Sequence, residues 1–175
     1  MAAELEFEAL VARFYEPLYR FAFSLCRDES EACDLTQQTF YVWASKGHQL
    51  REPGKVKTWL FTTLHRLFLE TRRRATLHPH EELDAADESL AAPAPELANQ
   101  LDAPQVLRAL ARVDAVYQAP VALFYLEDYA YKEIAVILDV PMGTVKSRIA
   151  RGIAQLQKLL NDDPTPTHSN GGLNP

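Results

Sequence analysis

The sequence predicts an all-α protein of two small helical domains joined by an acidic Pro/Ala-rich linker, the second domain containing a helix-turn-helix. Three observations carry that prediction. Apolar residues recur at steps of three and four along several stretches, and no stretch alternates apolar and polar long enough for a sheet. Residues 77–104 hold four prolines, many alanines and seven acids but no Lys or Arg, so the composition breaks there. A short apolar-periodic helix then meets a Pro-containing turn and a second, basic helix near residue 141.

In chain order, Phe7, Leu10, Val11, Phe14, Leu18, Phe21 and Leu25 form one face of a first helix, with Pro17 as a candidate kink. Asp28 followed by Glu31 has capping-box spacing, so a second helix begins there and runs through Leu35, Thr39 and Trp43. Lys46 to Gly54 reads as a loop closed by Pro53-Gly54. Val56 to Arg74 reads as a third helix with Leu60, Leu64 and Leu67 inward. The expected boundaries are a first domain over 1–76, a linker over 77–104, a second domain over 105–160 and a disordered polar tail over 161–175. Each domain alone has a small core.

In the second domain, Ile134, Ala135 and Leu138 face inward on a short helix that Asp139-Val140-Pro141 breaks. At 100° per residue, Val145, Ile149 and Leu156 of the next helix fall within about 40° of one another, and Gly152 or Ile153 completes that face. The opposite face carries Thr144, Lys146, Ser147, Ala150 and Arg151, with Arg148 on the flank. It has no acid and suits a DNA major groove. Lys146 and Arg151 are the candidates for base edges; Thr144, Ser147 and Arg148 suit phosphates or bases. The plain alternative is a solvated basic helix in an αα-hairpin.

The net charge of −6, with a sequence pI near 5.4, argues against a nucleic-acid partner only if the charge is evenly spread. It is not. Residues 46–76 carry +6 and residues 141–160 carry +4, against acidic segments elsewhere. The +6 segment interleaves Lys55, Lys57, Arg66, Arg72, Arg73 and Arg74 with Trp59, Phe61, His65 and Phe68. Cations track a backbone while aromatic faces stack unpaired bases, so this pattern suits single-stranded or melting DNA. Against that stands a core role for Trp59 and a solvated helix end for the three arginines.

Other classes fare worse. No apolar stretch approaches the ~20 residues of a membrane span, and the acidic start MAAELEFEAL is no secretory signal. Membrane insertion is therefore not expected, and the expected location is the cytoplasm. Cys26 and Cys33 read as buried thiols rather than a disulfide. No phosphate loop, nucleophile elbow or carboxylate pair stands out, and His78 and His80 read as exposed, so no enzyme, metal or cofactor is expected.

The runs Asp34-Leu-Thr-Gln-Gln-Thr-Phe40, Lys57-Thr-Trp-Leu-Phe61, Tyr131-Lys-Glu-Ile-Ala135 and Val140-Pro-Met-Gly-Thr-Val-Lys-Ser-Arg-Ile-Ala-Arg151 resemble those of bacterial extracytoplasmic-function (group 4) sigma factors of the sigma-70 family. The resemblance spans about residues 5–75 and 105–160. It implies a transcription initiation factor that binds core RNA polymerase, recognises minus-ten and minus-thirty-five promoter elements and supports melting. The implied contacts are the clamp coiled coil of the largest polymerase subunit and the flap of the second-largest, with promoter DNA and an anti-sigma factor as further partners. Asp34, Leu35, Gln37, Gln38 and Phe40 fall on the helix that docks on the clamp. The loop from Lys46 to Lys55 resembles one that captures a flipped base. Lys55, Lys57, Trp59, Phe61, His65, Arg66 and Arg72 to Arg74 fall in the minus-ten and melting segment. Lys146, Ser147, Ala150 and Arg151 fall at minus-thirty-five contacts.

The chain departs from the family pattern at Arg66 and Glu70, where Asn and Asp are frequent, so no minus-ten preference carries over. It also has Asp139 in place of the usual turn glycine, and Val113-Asp114 in place of a Leu-Pro pair. Asp tolerates a left-handed backbone better than most residues, so the turn is expected to survive. The competing reading is a stand-alone helix-turn-helix regulator in which residues 1–75 serve dimerisation or sensing.

Overall fold

A computed structural model describes residues 2–77 and 103–162, and among them there is no strand. Helix α1 spans Ala2–Cys26, α2 Glu29–Lys46 and α3 Val56–Thr76; α4 spans Ala103–Leu110, α5 Ala115–Tyr125, α6 Tyr131–Leu138 and α7 Met142–Asp162. Two 3₁₀ turns, Gly47–Gln49 and Pro53–Lys55, join α2 to α3. The inferred linker and tail lie almost wholly outside the described residues, as do His78 and His80. Helix α4 starts two residues before the anticipated start of the second domain, and α7 runs two beyond its anticipated end.

Local chemistry explains the ends. Asp28 sits in extended backbone and its carboxylate accepts from the Glu31 N–H at 2.8 Å, one bond that a helix start otherwise leaves unmade. Ahead of α6 the Glu133 carboxylate accepts from the Ala130 N–H at 2.9 Å. Asp139 ends α6 in the left-handed region, φ 54° and ψ 51°, as the sequence argument required of the turn. Pro17 lies inside α1 without ending it.

Leu18 and Phe21 of α1 meet Leu35 and Phe40 of α2 and Leu60, Phe61 and Leu64 of α3 in a three-helix core. In the second group Val121 and Leu123 of α5, Ile134 and Ile137 of α6, and Val145, Ile149 and Ile153 of α7 do the same. The inward face of α7 includes both Gly152 and Ile153. Leu67 is only half-buried.

The two groups are not separate cores. Helix α5 packs on α1 and α6 packs on α3, so one apolar cluster runs through both. The hinge of the contact is aromatic. Phe61 lies 5.3 Å from Phe21 on its own side and 5.6 Å, edge to face, from Tyr129 of the other group.

Candidate nucleic-acid interface

Helix α7 is amphipathic by construction: burying Val145, Ile149, Ile153 and Leu156 turns the remaining arc outward. Lys146 is exposed on that arc; Thr144, Ser147, Arg148, Ala150 and Arg151 are half-buried. The Ser147 hydroxyl donates to the Thr144 carbonyl at 3.1 Å, which leaves its oxygen free to accept. The left-handed Asp139 sets the angle at which α7 departs from α6, so the outward side chains are aimed by a backbone feature three residues before their helix starts.

Helix α3 divides the residues assigned to it between two sides. Trp59, Arg66 and Arg73 are spaced by seven and lie within about 40° of one another. Arg66 and Arg73 are exposed there, as are Arg74 and Lys55, while Trp59 is half-buried edge-on against Trp43 at 5.1 Å. Lys55 pairs with Glu52 at 2.9 Å, a surface contact worth little. Arg72 lies over the Phe68 ring at 5.1 Å and 3.6 Å from Glu31.

Lys57, Phe61 and His65, spaced by four, face the second group of helices instead. Lys57 donates to the Glu127 carbonyl at 3.1 Å and lies 4.7 Å over the Tyr129 ring. Phe61 is fully buried. As a residue expected to stack on DNA it is corrected by the structure: both its flanks are filled by other rings. Leu35 and Phe40 are corrected likewise. They are 2% and 5% exposed and hold α2 against its neighbours, whereas Asp34, Gln37 and Gln38 are exposed on the outer face of the same helix. The inner face of α2 includes Thr36 and Thr39, whose hydroxyls donate to the Ala32 and Leu35 carbonyls.

His65 is held neutral. Burial, with Arg148 and then Arg66 nearby, lowers its pKa from 6.5 to about 4. A group depressed on folding favours the folded state above its unfolded value and loses that contribution as pH falls toward its folded value. Taking the pH from 7 to 5 is therefore expected to cost about 2 kcal/mol from this residue. His65→Gln is expected to flatten that slope in denaturant melts across this range; an unchanged slope would assign the pH dependence elsewhere. Glu127 acts with the opposite sign. Burial pushes its carboxyl up against the pull of Arg20 and Lys57, so its part shrinks as pH rises.

Sequence reasoning missed Arg20 and Glu127. The Glu127 side chain is 4% exposed, 3.3 Å from Arg20 and 3.8 Å from Lys57. Beside the loop between α2 and α3 lies a groove of about 600 Å³, with Phe7, Leu10, Trp43, His48, Leu50 and Val56 among its lining residues. Gly47 also lines it, and a Cβ there would stand 2.5 Å from the Trp43 ring. Cys26 and Cys33 are free thiols; Cys26 donates to the Ala22 carbonyl at 3.0 Å. Among the described residues, no His, Cys, Asp or Glu group could hold a metal, and no helix is long and apolar enough to cross a membrane.

Compared with known proteins, residues 10–77 match the family described as Sigma-70 region 2 and residues 104–156 match Sigma-70, region 4. The chain is 34% identical over 169 residues to the ECF RNA polymerase sigma factor SigE of Mycolicibacterium smegmatis, covering 91% of this chain and 63% of that protein's length. It is 31% identical over 154 residues to the ECF RNA polymerase sigma factor SigM of Mycobacterium tuberculosis, covering 88% and 76%. Its fold resembles that of the sigma factor RpoE solved with the anti-sigma factor NepR from Bartonella quintana. That similarity has a TM-score of 0.68 and 26% identity, over 91% of this chain and 99% of the other. A second likeness, of fold alone, is to CnrH solved with the cytosolic domain of CnrY, with a TM-score of 0.63 over 92% of this chain and 91% of the other.

Proposed function

The chain belongs to the extracytoplasmic-function sigma factors of the sigma-70 family, and from that premise we propose that it is a dissociable promoter-specificity subunit of RNA polymerase and catalyses no covalent chemistry. One observation carries the reading. Region 2 and region 4 stand in order on one chain, and region 4 contains a helix whose outward arc is basic and free of acids from residue 141 to 160. Residues 10–77 are then a polymerase- and promoter-binding region rather than the dimerisation or sensing domain that a stand-alone regulator would need.

In this reading Asp34, Gln37 and Gln38 meet the polymerase clamp, with Leu35 and Phe40 supporting them from inside. Trp59, Arg66, Arg73 and Arg74 meet the minus-ten region, and the groove beside Gly47, with Glu6 and His48 among mostly apolar lining residues, takes a base flipped from it. Thr144, Lys146, Ser147, Arg148, Ala150 and Arg151 meet the minus-thirty-five duplex. The segment between α3 and α4 joins the two regions, and the chain works in the cytoplasm, where an anti-sigma protein is a further partner.

Reconstituted transcription tests this. Core polymerase with the chain added is expected to initiate at a discrete promoter, and silence across native upstream regions would overturn the proposal. Within an active holoenzyme, Arg151→Ala is expected to weaken binding to the minus-thirty-five duplex by about 1–3 kcal/mol. An equal loss on scrambled duplex would mark Arg151 as a phosphate contact instead.

A further inference from the structure

Helices α5 and α7 meet closely at Gly152, where a Cβ would stand 2.4 Å from the Val121 Cγ2 and 3.0 Å from the Tyr117 Cβ. Such packing sets the distance between two helices but confines their crossing angle only to within about 15–20°. Three residues beyond Gly152 on α7, and three before Tyr117, the two are joined a second time. The Asp114 N–H donates to the Gln155 Oε1 at 3.0 Å, and the Gln155 Nε2 donates to the Asp114 Oδ2 at 2.7 Å. Two bonds running in opposite directions between one pair of residues fix orientation as well as distance.

Asp114 makes this pair in place of a more ordinary bond. It is the N-cap of α5, where an Asp usually accepts from the first N–H groups of its own helix, yet its side chain makes no cap bond. The backbone half of the pair is open to this chain because Asp114 stands where the family pattern has proline, which has no N–H to give. The turn that carries Asp114 is itself tied down, since Gln118 donates to the Ala111 and Val113 carbonyls at 3.2 and 2.8 Å. Gln155 follows Arg148 by seven residues and Arg151 by four, so it continues the outward row of α7. At 1.5 Å per residue it lies about 4.5 Å beyond Gly152, whereas Lys146 and Thr144 lie about 9 and 12 Å before it. With Gly152 as the pivot, a slip of about 1 Å at Gln155 becomes about 2 Å at Lys146 and about 2.7 Å at Thr144. A shift of that size breaks a hydrogen bond to a base edge.

We propose that Asp114 and Gln155 are positioning residues, whose paired bonds fix the angle at which α7 presents Lys146, Ser147 and Arg151 to the minus-thirty-five duplex. This rests on the reading of α7 as the duplex-binding helix. The pair acts through the tilt of the helix, so it governs discrimination between sequences more than general attraction to DNA. Base-edge bonds require alignment, whereas attraction to phosphates carries no sequence information.

The test uses the full chain in holoenzyme and labelled duplexes carrying the minus-thirty-five region of a promoter it initiates from, intact or scrambled. Gln155→Ala is expected to bind the intact duplex about tenfold more weakly and the scrambled one as the parent does. Gln155→Glu removes the donor and sets a second carboxylate against Asp114, and is expected to lose as much on the intact duplex. Asp114→Asn keeps an acceptor for Gln155 and is expected to stay within about twofold of the parent. Combining Asp114→Asn with Gln155→Glu exchanges amide and carboxylate, allows both bonds to re-form, and is expected to return within about twofold as well. Hydrogen exchange at the Asp114 amide, read by NMR on the chain alone, is expected to be slow in the parent and the double variant and faster in Gln155→Ala. Thermal melts confirm that each variant is folded.

Parent-like discrimination by Gln155→Ala would overturn the proposal, as would a double variant no better than Gln155→Glu alone. An equal loss by Gln155→Ala on intact and scrambled duplex would overturn it in favour of a direct phosphate contact from Gln155. Failure of the parent to initiate with core polymerase would instead overturn the function proposed above. Exchange at Asp114 tells that failure from an absent pair, because it requires neither DNA nor polymerase.

Discussion

Replacing Phe61 with alanine is expected to destabilise the folded chain by about 3–5 kcal/mol, the range for removing a large aromatic side chain from a packed core. The ring has no exposed surface and is held between Phe21 at 5.3 Å and Tyr129 at 5.6 Å, with the Lys57 ammonium 5.9 Å above it. Its loss opens a void on both sides of the contact between the two helix groups, and neither side can collapse without moving α3. Against a total stability of about 5–15 kcal/mol for a chain of this kind, that is a large share. A urea melt followed by circular dichroism measures it. A loss below about 1 kcal/mol, accompanied by weaker single-strand binding, would restore Phe61 to the role its place in the sequence suggested.

Gly152→Val is expected to be nearly as damaging, at about 3 kcal/mol, for the opposite reason. A Cβ at Gly152 would stand 2.4 Å from the Val121 Cγ2 and 3.0 Å from the Tyr117 Cβ. A glycine inside a helix costs about 1 kcal/mol relative to alanine, so its presence in α7 reflects how closely α5 and α7 approach. Alanine recovers some of that propensity and is expected to be milder than valine, which adds two methyl groups to a space already filled. The same displacement tilts α7, so binding to the minus-thirty-five duplex is expected to fall at temperatures where the variant is still folded. Melts of the alanine and valine variants, with duplex binding measured below both transitions, check the order; a valine variant as stable as the parent would show that α5 and α7 can separate without cost.

What could be read ahead of the structure followed from local rules. The inward face of α7 was legible because Val145, Ile149 and Leu156 obey a 3.6-residue period and the opposite face carries no apolar residue larger than Ala150. The start of α2 was legible because a carboxylate three residues before a backbone N–H has one strong use there. The burial of Phe40 was harder to see. Two of the five buried residues of α2 are threonines, whose hydroxyls are satisfied by carbonyls four residues back, so polarity did not mark which side was outside. The division of α3 was hidden for another reason: Lys57 and Arg66 look alike in a sequence, and only a partner 70 residues further on distinguishes them. Glu127 carried no signal, since an acidic pair such as Glu127-Asp128 between two helices is ordinarily solvated.

The division of α3 also limits how this chain can change. A helix with one committed side can vary along the other. Here Lys57, Phe61 and His65 are tied to the second domain, Leu60 and Leu64 to the first, and the outward row of Trp59, Arg66 and Arg73 is given to DNA in the function proposed. Leu69 and Thr71, both exposed on its later turns, lie off that outward row. Drift in promoter preference therefore has a narrow route through this helix: in the function proposed, a substitution on the outward row alters what is read, while one on the inward row alters how α3 packs on the second group of helices.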